Sequence, residues 1–247
     1  MTSGDGVGKT GKVKTIYKQL LKAYGYQGWW PVTVSKEAGP KYFPGDYSHP
    51  RNEKEAWEII VGAILTQNTS WKNVEKAIVN LINSKCLDLE CISKMKTEKL
   101  AKLIKPSGYY NQKANRLKSL AKYLEKWPSL EAFFDRPVEE IRKELLAIKG
   151  IGKETADSIL LYAGKKPIFV VDAYTRRIFH RLGLTNESLD YDDIRKLVES
   201  ELSKAKNKRE IFNEFHALLV EHAKRHCRKK PICKDCPLAG ICHASKT

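Results

Sequence analysis

The chain has 247 residues and a formal charge of +16, from 45 lysines and arginines against 29 aspartates and glutamates. With 42% hydrophobic and 30% charged residues, its composition excludes a disordered chain, and no apolar run approaches the roughly 18–20 residues of a membrane span. An excess of positive charge attracts polyanions, so we expect nucleic acid as the partner, with an anionic membrane surface as the weaker alternative.

Residues 1–14 are rich in Gly, Lys and Thr and are predicted to form a disordered basic tail. They include the run GDGVGKT, which is similar to a phosphate-binding loop. Ser3 stands where that motif needs its first glycine, and no strand precedes the run to present it. The tail therefore does not predict a nucleotide site.

From Trp57 onward, apolar residues recur every three or four positions, which is the spacing of one face of an α-helix. Stripes of this kind cover residues 57–65, 74–82, 117–124, 194–202 and 211–219. The one β-like run, Ile168 to Val171, has no neighbour to pair with, and a lone short strand cannot support a sheet. The sequence therefore predicts an all-α fold of packed helices.

The segment 145–156 predicts two helices joined by a tight turn at Gly150 and Gly152. Glycine permits backbone angles that a β-carbon forbids, and the unpaired N–H groups at the start of the second helix favour an anion. Lys149 and Lys153 flank the turn. A helix that ends at glycine before a new helix gives the same local pattern, but the charge of the chain favours a DNA phosphate.

Asp172 follows Gly152 by twenty positions and begins a basic helix that contains Arg176 and Arg177. Aspartate is a common helix N-cap. An N-cap also holds its carboxylate rigidly beside positive charge, so Asp172 can serve both as a cap and as a functional acid.

These segments carry a family resemblance. Gly150-Ile151-Gly152, then Val171-Asp172 and Arg176-Arg177-Ile178, resembles the helix-hairpin-helix–Gly/Pro–Asp signature of the endonuclease III superfamily of DNA glycosylases. Leu65-Thr66-Gln67-Asn68-Thr69 is similar to the segment of that family whose glutamine fills the gap left by a flipped base.

The resemblance runs from about Trp57 to the last cysteine and implies two helical domains. A six-helix barrel over 55–164 would carry the hairpin, and a second domain, from 15–54 and 165–247, would carry a four-cysteine metal cluster. The resemblance also implies catalysis by Asp172. The residues expected to contact DNA are Gln67, Asn68, Lys149, Gly150, Gly152, Lys153, Thr155 and Arg176.

Lyase members of the family carry a nucleophilic lysine just before the Thr-Ala of the second hairpin helix, and Glu154 occupies that position here. An amine can form a Schiff base with the sugar, whereas a carboxylate cannot. Lys153, one position away, points about 100° around the helix. The resemblance therefore implies a monofunctional glycosylase, which hydrolyses the N-glycosidic bond without lyase chemistry.

Trp29 and Trp30 are adjacent and precede Pro31, and Trp57 opens the first long apolar stripe. Tryptophans are commonly core residues. Together with the segments around Gln67 and 105–114, however, the Trp-Trp-Pro element resembles the 3-methyladenine DNA glycosylases of endonuclease III type, in which aromatic rings sandwich an alkylated purine.

The chemistry of the base agrees with that resemblance. N-alkylation makes a purine cationic, and the face of an electron-rich ring attracts a cation by about 0.5–2 kcal/mol. We therefore expect Trp29, Trp30, Pro31 and Trp57 to bind a flipped base such as 3-methyladenine or 7-methylguanine.

Four of the six cysteines follow the spacing Cys227-x5-Cys233-x2-Cys236-x5-Cys242. In a reducing compartment such a cluster is more typical of a metal site than of disulfides. Four thiolates suit a 4Fe–4S iron–sulfur cluster or a structural zinc, and we expect the former. The family motif has six residues between its first two cysteines where this chain has five, which leaves His222, His226 and His243 as alternative ligands. Cys86 and Cys91 are interpreted as packing residues.

Two related activities remain open: an endonuclease III-like glycosylase and lyase acting on oxidised pyrimidines, and a mismatch glycosylase that removes thymine or adenine. A non-enzymatic DNA-binding module would leave Asp172 and the tryptophan pair with no purpose beyond packing. The sequence predicts a base-excision repair glycosylase that acts as a monomer on double-stranded DNA with a damaged base. We expect it to be cytoplasmic, associated with DNA and not with a membrane.

Overall fold

A computed structural model describes residues 11–34, 39–186 and 188–245. Within these ranges the secondary structure is helical, and the only β-type pairing is an isolated bridge between Val32 and Lys41. The all-α prediction is confirmed. The β-like run 168–171 forms a buried connection without regular secondary structure. None of the described helices is long and apolar enough to cross a bilayer.

Twelve α-helices make up most of the described chain. In order they are α1 Lys12–Tyr24, α2 Glu53–Leu65, α3 Trp71–Asn83, α4 Leu89–Lys94, α5 Thr97–Leu103, α6 Tyr110–Leu124, α7 Leu130–Phe134, α8 Val138–Ala147, α9 Lys153–Ser158, α10 Ala173–Arg181, α11 Tyr191–Glu201 and α12 Lys208–Arg225. A π-helical turn, Ile159–Ala163, follows α9, and 3-10 turns form Lys105–Ser107, Ala239–Ile241 and His243–Ser245.

The chain divides into two compact units, Met1–Gly28 with Pro167–Thr247, and Trp29–Lys166. Residues 29–54 therefore group with the hairpin unit, and not with the N- and C-terminal domain expected for 15–54. Side-chain contacts explain the difference, because Thr33 binds Glu58 of α2 and Asn52 caps the same helix. These bonds fasten the segment before α2 to the unit that α2 organises.

Helix α2 is the centre of the second unit. Its residues from Glu55 to Leu65 are all buried, which is the pattern of a helix surrounded on every side. It packs against α3, α6, α7, α9 and the π-helical turn. The end of α2 therefore delivers the segment 66–69 from a rigid support.

The first unit packs α1 and α10 against α12. Its core contains the fully buried rings of Phe169, Phe179, Phe212 and Phe215. Helix α1 begins at Lys12, so residues 12–14 of the expected tail are helical, with Val13 fully buried. Residues 1–10, which include the GDGVGKT run, lie outside the described residues.

Cys86 and Cys91 form a disulfide, so their interpretation as packing residues is wrong. The turn between α3 and α4 brings their Cα atoms to 5.4 Å, within the usual range for this bond. The disulfide joins two cysteines that are five positions apart and closes a short loop at the start of α4.

Candidate functional site

The hairpin turn between α8 and α9 is built around two glycines with different roles. Gly150 has a φ of +90°, and a Cβ there would lie 2.4 Å from Nε of Arg116, so both backbone angle and space require glycine. Gly152 is the N-cap of α9 and has no side-chain cap. The backbone N–H groups of the first turn of α9 lie at the positive end of that helix, where an anion such as a phosphate is favoured.

A buried ion pair holds the two hairpin helices together. The guanidinium of Arg142 on α8 donates to both carboxylate oxygens of Asp157, at 2.6 and 3.1 Å. Asp157 is fully buried, and paired, bidentate bonds of this kind fix orientation as well as distance. Lys149 is exposed and Lys153 is half-buried beside the turn.

Gln67 lies against the hairpin. Its Nε2 donates to the Gly150 carbonyl at 3.2 Å and to Oγ1 of Thr155 at 2.9 Å, and its Oε1 accepts from Arg116. The structure therefore brings Gln67, Gly150 and Thr155 together. Thr155 itself is buried, whereas Asn68 is exposed in a left-handed conformation that asparagine tolerates better than most residues.

Trp30 is the centre of an aromatic cluster. Its ring centroid lies 5.9 Å from that of Trp29, 5.4 Å from Trp71 and 5.0 Å from Tyr162, all edge-to-face. Gly62 of α2 makes room for it, since a Cβ there would lie 3.0 Å from its Nε1. Trp30 is 7% exposed, and Trp29 is more accessible.

Trp71 and Tyr162 were not expected in this cluster. Tyr162 belongs to the π-helical turn, a form of helix that is frequent at functional sites, and Trp71 opens α3. Neither residue has a motif around it that marks it as a neighbour of Trp30. Helical packing alone brings the three rings together.

Glu58 fastens the Trp-Trp-Pro segment to α2. One of its oxygens accepts from the backbone N–H of Thr33 at 3.0 Å and from the Thr33 hydroxyl at 2.8 Å. Burial raises the pKa of Glu58 to about 7, and the two bonds from Thr33 only partly oppose this shift. Pro31 and Val32, between the tryptophans and Thr33, are buried.

Trp57 lies apart from this cluster. It is 2% exposed and lines a cleft with Leu124, Trp127 and Leu130. Trp57 and Gly62 are five residues apart on α2, so they point about 140° apart. The structure therefore does not bring Trp57 together with Trp29 and Trp30.

Asp172 belongs to the other unit, where it caps α10. Its Oδ1 accepts from the Thr175 N–H at 2.7 Å, and its Oδ2 lies 3.7 Å from Nε2 of His216. Burial alone would raise the pKa of Asp172, but the nearby His216 imidazole and the bonds from Thr175 hold it below the usual value. The carboxylate is thus ionised and fixed. No sequence motif marks His216 as a neighbour of Asp172. Arg176, which lies on α10, donates to the Leu189 carbonyl at 3.2 Å.

The four C-terminal cysteines line one small cavity in the same unit as Asp172, and none of them is in a disulfide. The guanidinium of Arg181 donates to Sγ of Cys227 at 3.2 Å and also binds the Arg228 and Lys229 carbonyls, which suits an electron-rich sulfur ligand. His222 also lines the cavity and bonds to the Tyr24 hydroxyl at 2.9 Å.

Four thiolates are a donor set that can hold an iron–sulfur cluster or a single zinc ion. Zn–S bonds of about 2.3 Å require thiolates drawn tightly around one centre. Within the described residues, no three His, Cys, Asp or Glu side chains are arranged to hold a metal ion. The four cysteines therefore line one cavity without the tight arrangement that a bound metal group would impose.

Comparison with known proteins identifies the family. Residues 61–204 match the model of the HhH-GPD superfamily base excision DNA repair protein. The chain is 46% identical to a putative DNA repair glycosylase of Methanocaldococcus jannaschii, over 92% of this chain and 94% of that protein. It is 32% identical to endonuclease III of Thermotoga maritima, over 78% and 86% of the two chains.

Comparison with solved structures agrees with this family. The crystal structure of H. pylori 3-methyladenine DNA glycosylase (MagIII) bound to 1,N6-ethenoadenine is similar with a TM-score of 0.69 and 32% identity, over 87% of this chain and 96% of that one. The chain therefore belongs to the HhH-GPD superfamily of base excision DNA repair proteins, and it is a DNA N-glycosylase.

Proposed function

We propose that this glycosylase is monofunctional and hydrolyses the N-glycosidic bond of N-alkylated purines, such as 3-methyladenine and 7-methylguanine, in double-stranded DNA. We expect it to act as a monomer. The observation that carries the proposal is the aromatic cluster of Trp29, Trp30, Trp71 and Tyr162. The similarity to a 3-methyladenine DNA glycosylase supports the same substrate class.

The cluster suggests a division of roles between the two adjacent tryptophans. Trp30 is packed on three sides by aromatic rings, which fixes the segment that contains it. Trp29 is the more accessible ring, so it would contact the flipped base. An alkylated purine carries a positive charge and an ordinary purine does not, so a ring face discriminates between them by about 0.5–2 kcal/mol.

Asp172 is the proposed catalytic residue. As an ionised carboxylate it would stabilise the oxocarbenium-like sugar while the C1′–N bond breaks, or deprotonate the water that attacks C1′. An alkylated purine leaves as a neutral base because it already carries its positive charge. It therefore needs little help from a general acid.

Glu154 supports hydrolysis without lyase chemistry. It is exposed in the first turn of α9, at the position where lyase members carry their nucleophilic lysine. A carboxylate cannot form an imine with the sugar. We therefore expect the product to be an intact strand with an abasic site.

DNA binding would use the hairpin and the segment after α2. The N–H groups after Gly152 would hold a backbone phosphate, which sets register without reading sequence, with Lys149 and Lys153 adding charge. Gln67 would fill the gap left by the flipped nucleotide and offset an unstacking cost of a few kcal/mol. Asn68 would lie beside it, and Arg176 would add positive charge near Asp172.

We propose that Cys227, Cys233, Cys236 and Cys242 hold a 4Fe–4S cluster. When bound, the cluster supplies structure, since it ties the C-terminal segment to α10 and α12. Arg181 then holds the cysteine loop through the Arg228 and Lys229 carbonyls. Purified protein with absorbance near 400 nm is the expected result, and colourless protein that contains one zinc would refute the assignment.

The test of function is the identity of the released base. The protein is incubated with methylated DNA and with duplexes that carry single lesions, including 7-methylguanine, thymine glycol and a G·T mismatch. Release of methylated purines, with no adduct trapped by borohydride, is expected. A trapped adduct on thymine glycol, or release of thymine alone, would refute the proposal in favour of the alternative concerned.

Asp172→Asn provides the matched variant. It keeps the size of the side chain and an oxygen that can accept from Thr175, and we expect it to abolish base release while leaving lesion binding within about threefold, since the phosphate contacts are unchanged. Undiminished base release by this variant would exclude Asp172 as the catalytic carboxylate.

A further inference from the structure

Helix α6 carries a lysine that is fully buried. Lys113 has no exposed surface, and its Nζ donates to the Leu65 carbonyl at 2.8 Å and to the Ser107 carbonyl at 2.7 Å. Leu65 is the last residue of α2, and Ser107 ends the 3-10 turn before α6. This one ammonium group therefore ties the end of α2 to the turn that precedes α6.

The position of Lys113 is costly. A buried ammonium loses its hydration, and a cation in the first turn of α6 faces the positive end of that helix dipole. Burial lowers the pKa of Lys113 to about 8, and the charge of Arg116 adds to the shift. The Leu65 carbonyl compensates, because the last carbonyls of α2 lack helical partners and lie at the negative end of its dipole.

Arg116 lies three residues further along α6 and therefore on the same face. Its guanidinium donates to Oε1 of Gln67, and its side chain occupies the space that a Cβ on Gly150 would need. With Nε2 of Gln67 bound to Gly150 and Thr155, both ends of the Gln67 amide are held. Lys113 holds the backbone just before this residue, and Arg116 holds its side chain.

We propose that Lys113 and Arg116 are positioning residues that present Gln67 to DNA in a fixed pose before the DNA binds. The inference rests on the proposed role of Gln67 in filling the gap left by the flipped nucleotide. A free glutamine side chain would lose its rotamer freedom at the moment of insertion. The two cations of α6 remove that cost in advance.

The test is a double-mutant cycle between Gln67 and Arg116. Single-turnover base release is measured for the wild type, Gln67→Ala, Arg116→Met and the double variant, on a duplex whose lesion lies opposite its normal partner. Removal of a charged hydrogen bond predicts a loss of roughly 10- to 100-fold for Arg116→Met. Because both substitutions remove the same contact between Arg116 and Gln67, we expect the rate of the double variant to fall within about threefold of the Gln67→Ala rate.

A second substrate separates positioning from a general structural effect. When the lesion lies in a single-nucleotide bulge, little unstacking is needed and the gap does not have to be filled. The losses of Gln67→Ala and Arg116→Met are then expected to shrink to within about threefold of the wild type. Lys122→Met, an exposed site on the same helix, controls for the loss of one positive charge.

Lys113 is tested on the same two substrates with Lys113→Met and with Lys113→Gln, which keeps a donor for one carbonyl. Both are expected to lose rate on the paired duplex and to recover in the bulge. If neither variant folds, the Arg116 cycle decides the proposal.

Three outcomes would overturn the inference. The losses from Gln67→Ala and Arg116→Met could multiply in the double variant, or Arg116→Met could match the rate of the wild type. The third is an equal loss of rate on the paired and the bulged substrate. These outcomes differ from failure of the proposed function, in which the wild type releases no alkylated purine. If the wild type releases another base, the cycle is run on that lesion.

Discussion

Glu58 is the buried acid whose charge should cost stability at neutral pH. Its pKa is raised from 4.5 to about 7 because the side chain is buried. Between about pH 4.5 and 7, the folded protein therefore keeps a proton on Glu58 that the unfolded chain has already released. Stability from this group is fully present below pH 4.5 and is lost as the pH rises through 7.

The size of this effect follows from the two pKa values. A shift from 4.5 to about 7 corresponds to about 3 kcal/mol at pH 8, at roughly 1.4 kcal/mol per unit. Glu58→Gln keeps an oxygen that can accept from both donors of Thr33 and cannot ionise. We therefore expect this variant to exceed the wild type by up to about 3 kcal/mol in unfolding free energy at pH 8, and to match it within about 1 kcal/mol at pH 4.5.

Urea unfolding of both proteins at pH 4.5, 6, 7 and 8 measures the difference directly, because other titrating groups cancel between them. Glu98→Gln removes an exposed carboxylate from α5 and serves as the matched control for the loss of one glutamate. A Glu58→Gln protein that is less stable than the wild type at pH 8, or a difference that does not change with pH, would refute the assignment of a costly buried charge.

Three further predictions concern other parts of the molecule. His216→Gln should move the acid limb of the base-release pH profile to higher pH, because the burial of Asp172 is then less opposed; an unmoved limb would contradict the pairing. Gly150→Ala should weaken binding to undamaged duplex at least tenfold, since a Cβ would lie 2.4 Å from Nε of Arg116 at a φ that alanine rarely adopts; Gly25→Ala, which is also at a positive φ but whose Cβ meets no atom within 4 Å, is the control in gel-shift titration. Replacing Cys86 and Cys91 by alanine should lower unfolding free energy by about 2 kcal/mol, the value for so short a loop, and a chemical melt with no change would exclude a stabilising bridge.

The parts of the fold and site that could be predicted depend on local chemistry. The turn at Gly150 and Gly152 needs glycine for reasons that lie within a few residues of sequence, and the N-cap at Asp172 is equally local. Helix periodicity gave the all-α class because each stripe reports one buried face. These features are visible in the chain before it packs.

Other features form only when distant segments meet. Trp71 and Tyr162 join Trp30 through packing between helices, and His216 faces Asp172 from 44 positions away. Lys113 looks like one of many lysines in the sequence, and only the structure shows that it is buried. Trp57 is a different case, because helix geometry alone could have predicted that it lies away from Trp30. Gly62 is the α2 residue that packs against Trp30, and Trp57 lies on another face of the same helix. The helix turns by 100° per residue, so residues five apart face different directions.

The charge of the chain and the proposed charge of its substrate base have the same sign, which constrains how the base can be selected. A formal charge of +16 attracts the DNA backbone but opposes a cationic purine. A carboxylate in the pocket would attract the purine, but it would lose hydration on burial, and the raised pKa of Glu58 shows that cost in this unit. Aromatic faces attract a cation without an ionised group. A strongly basic glycosylase that selects cationic bases should therefore rely on rings, and substitution of Trp29 by Leu should remove the preference for methylated over normal purines more than it weakens DNA binding.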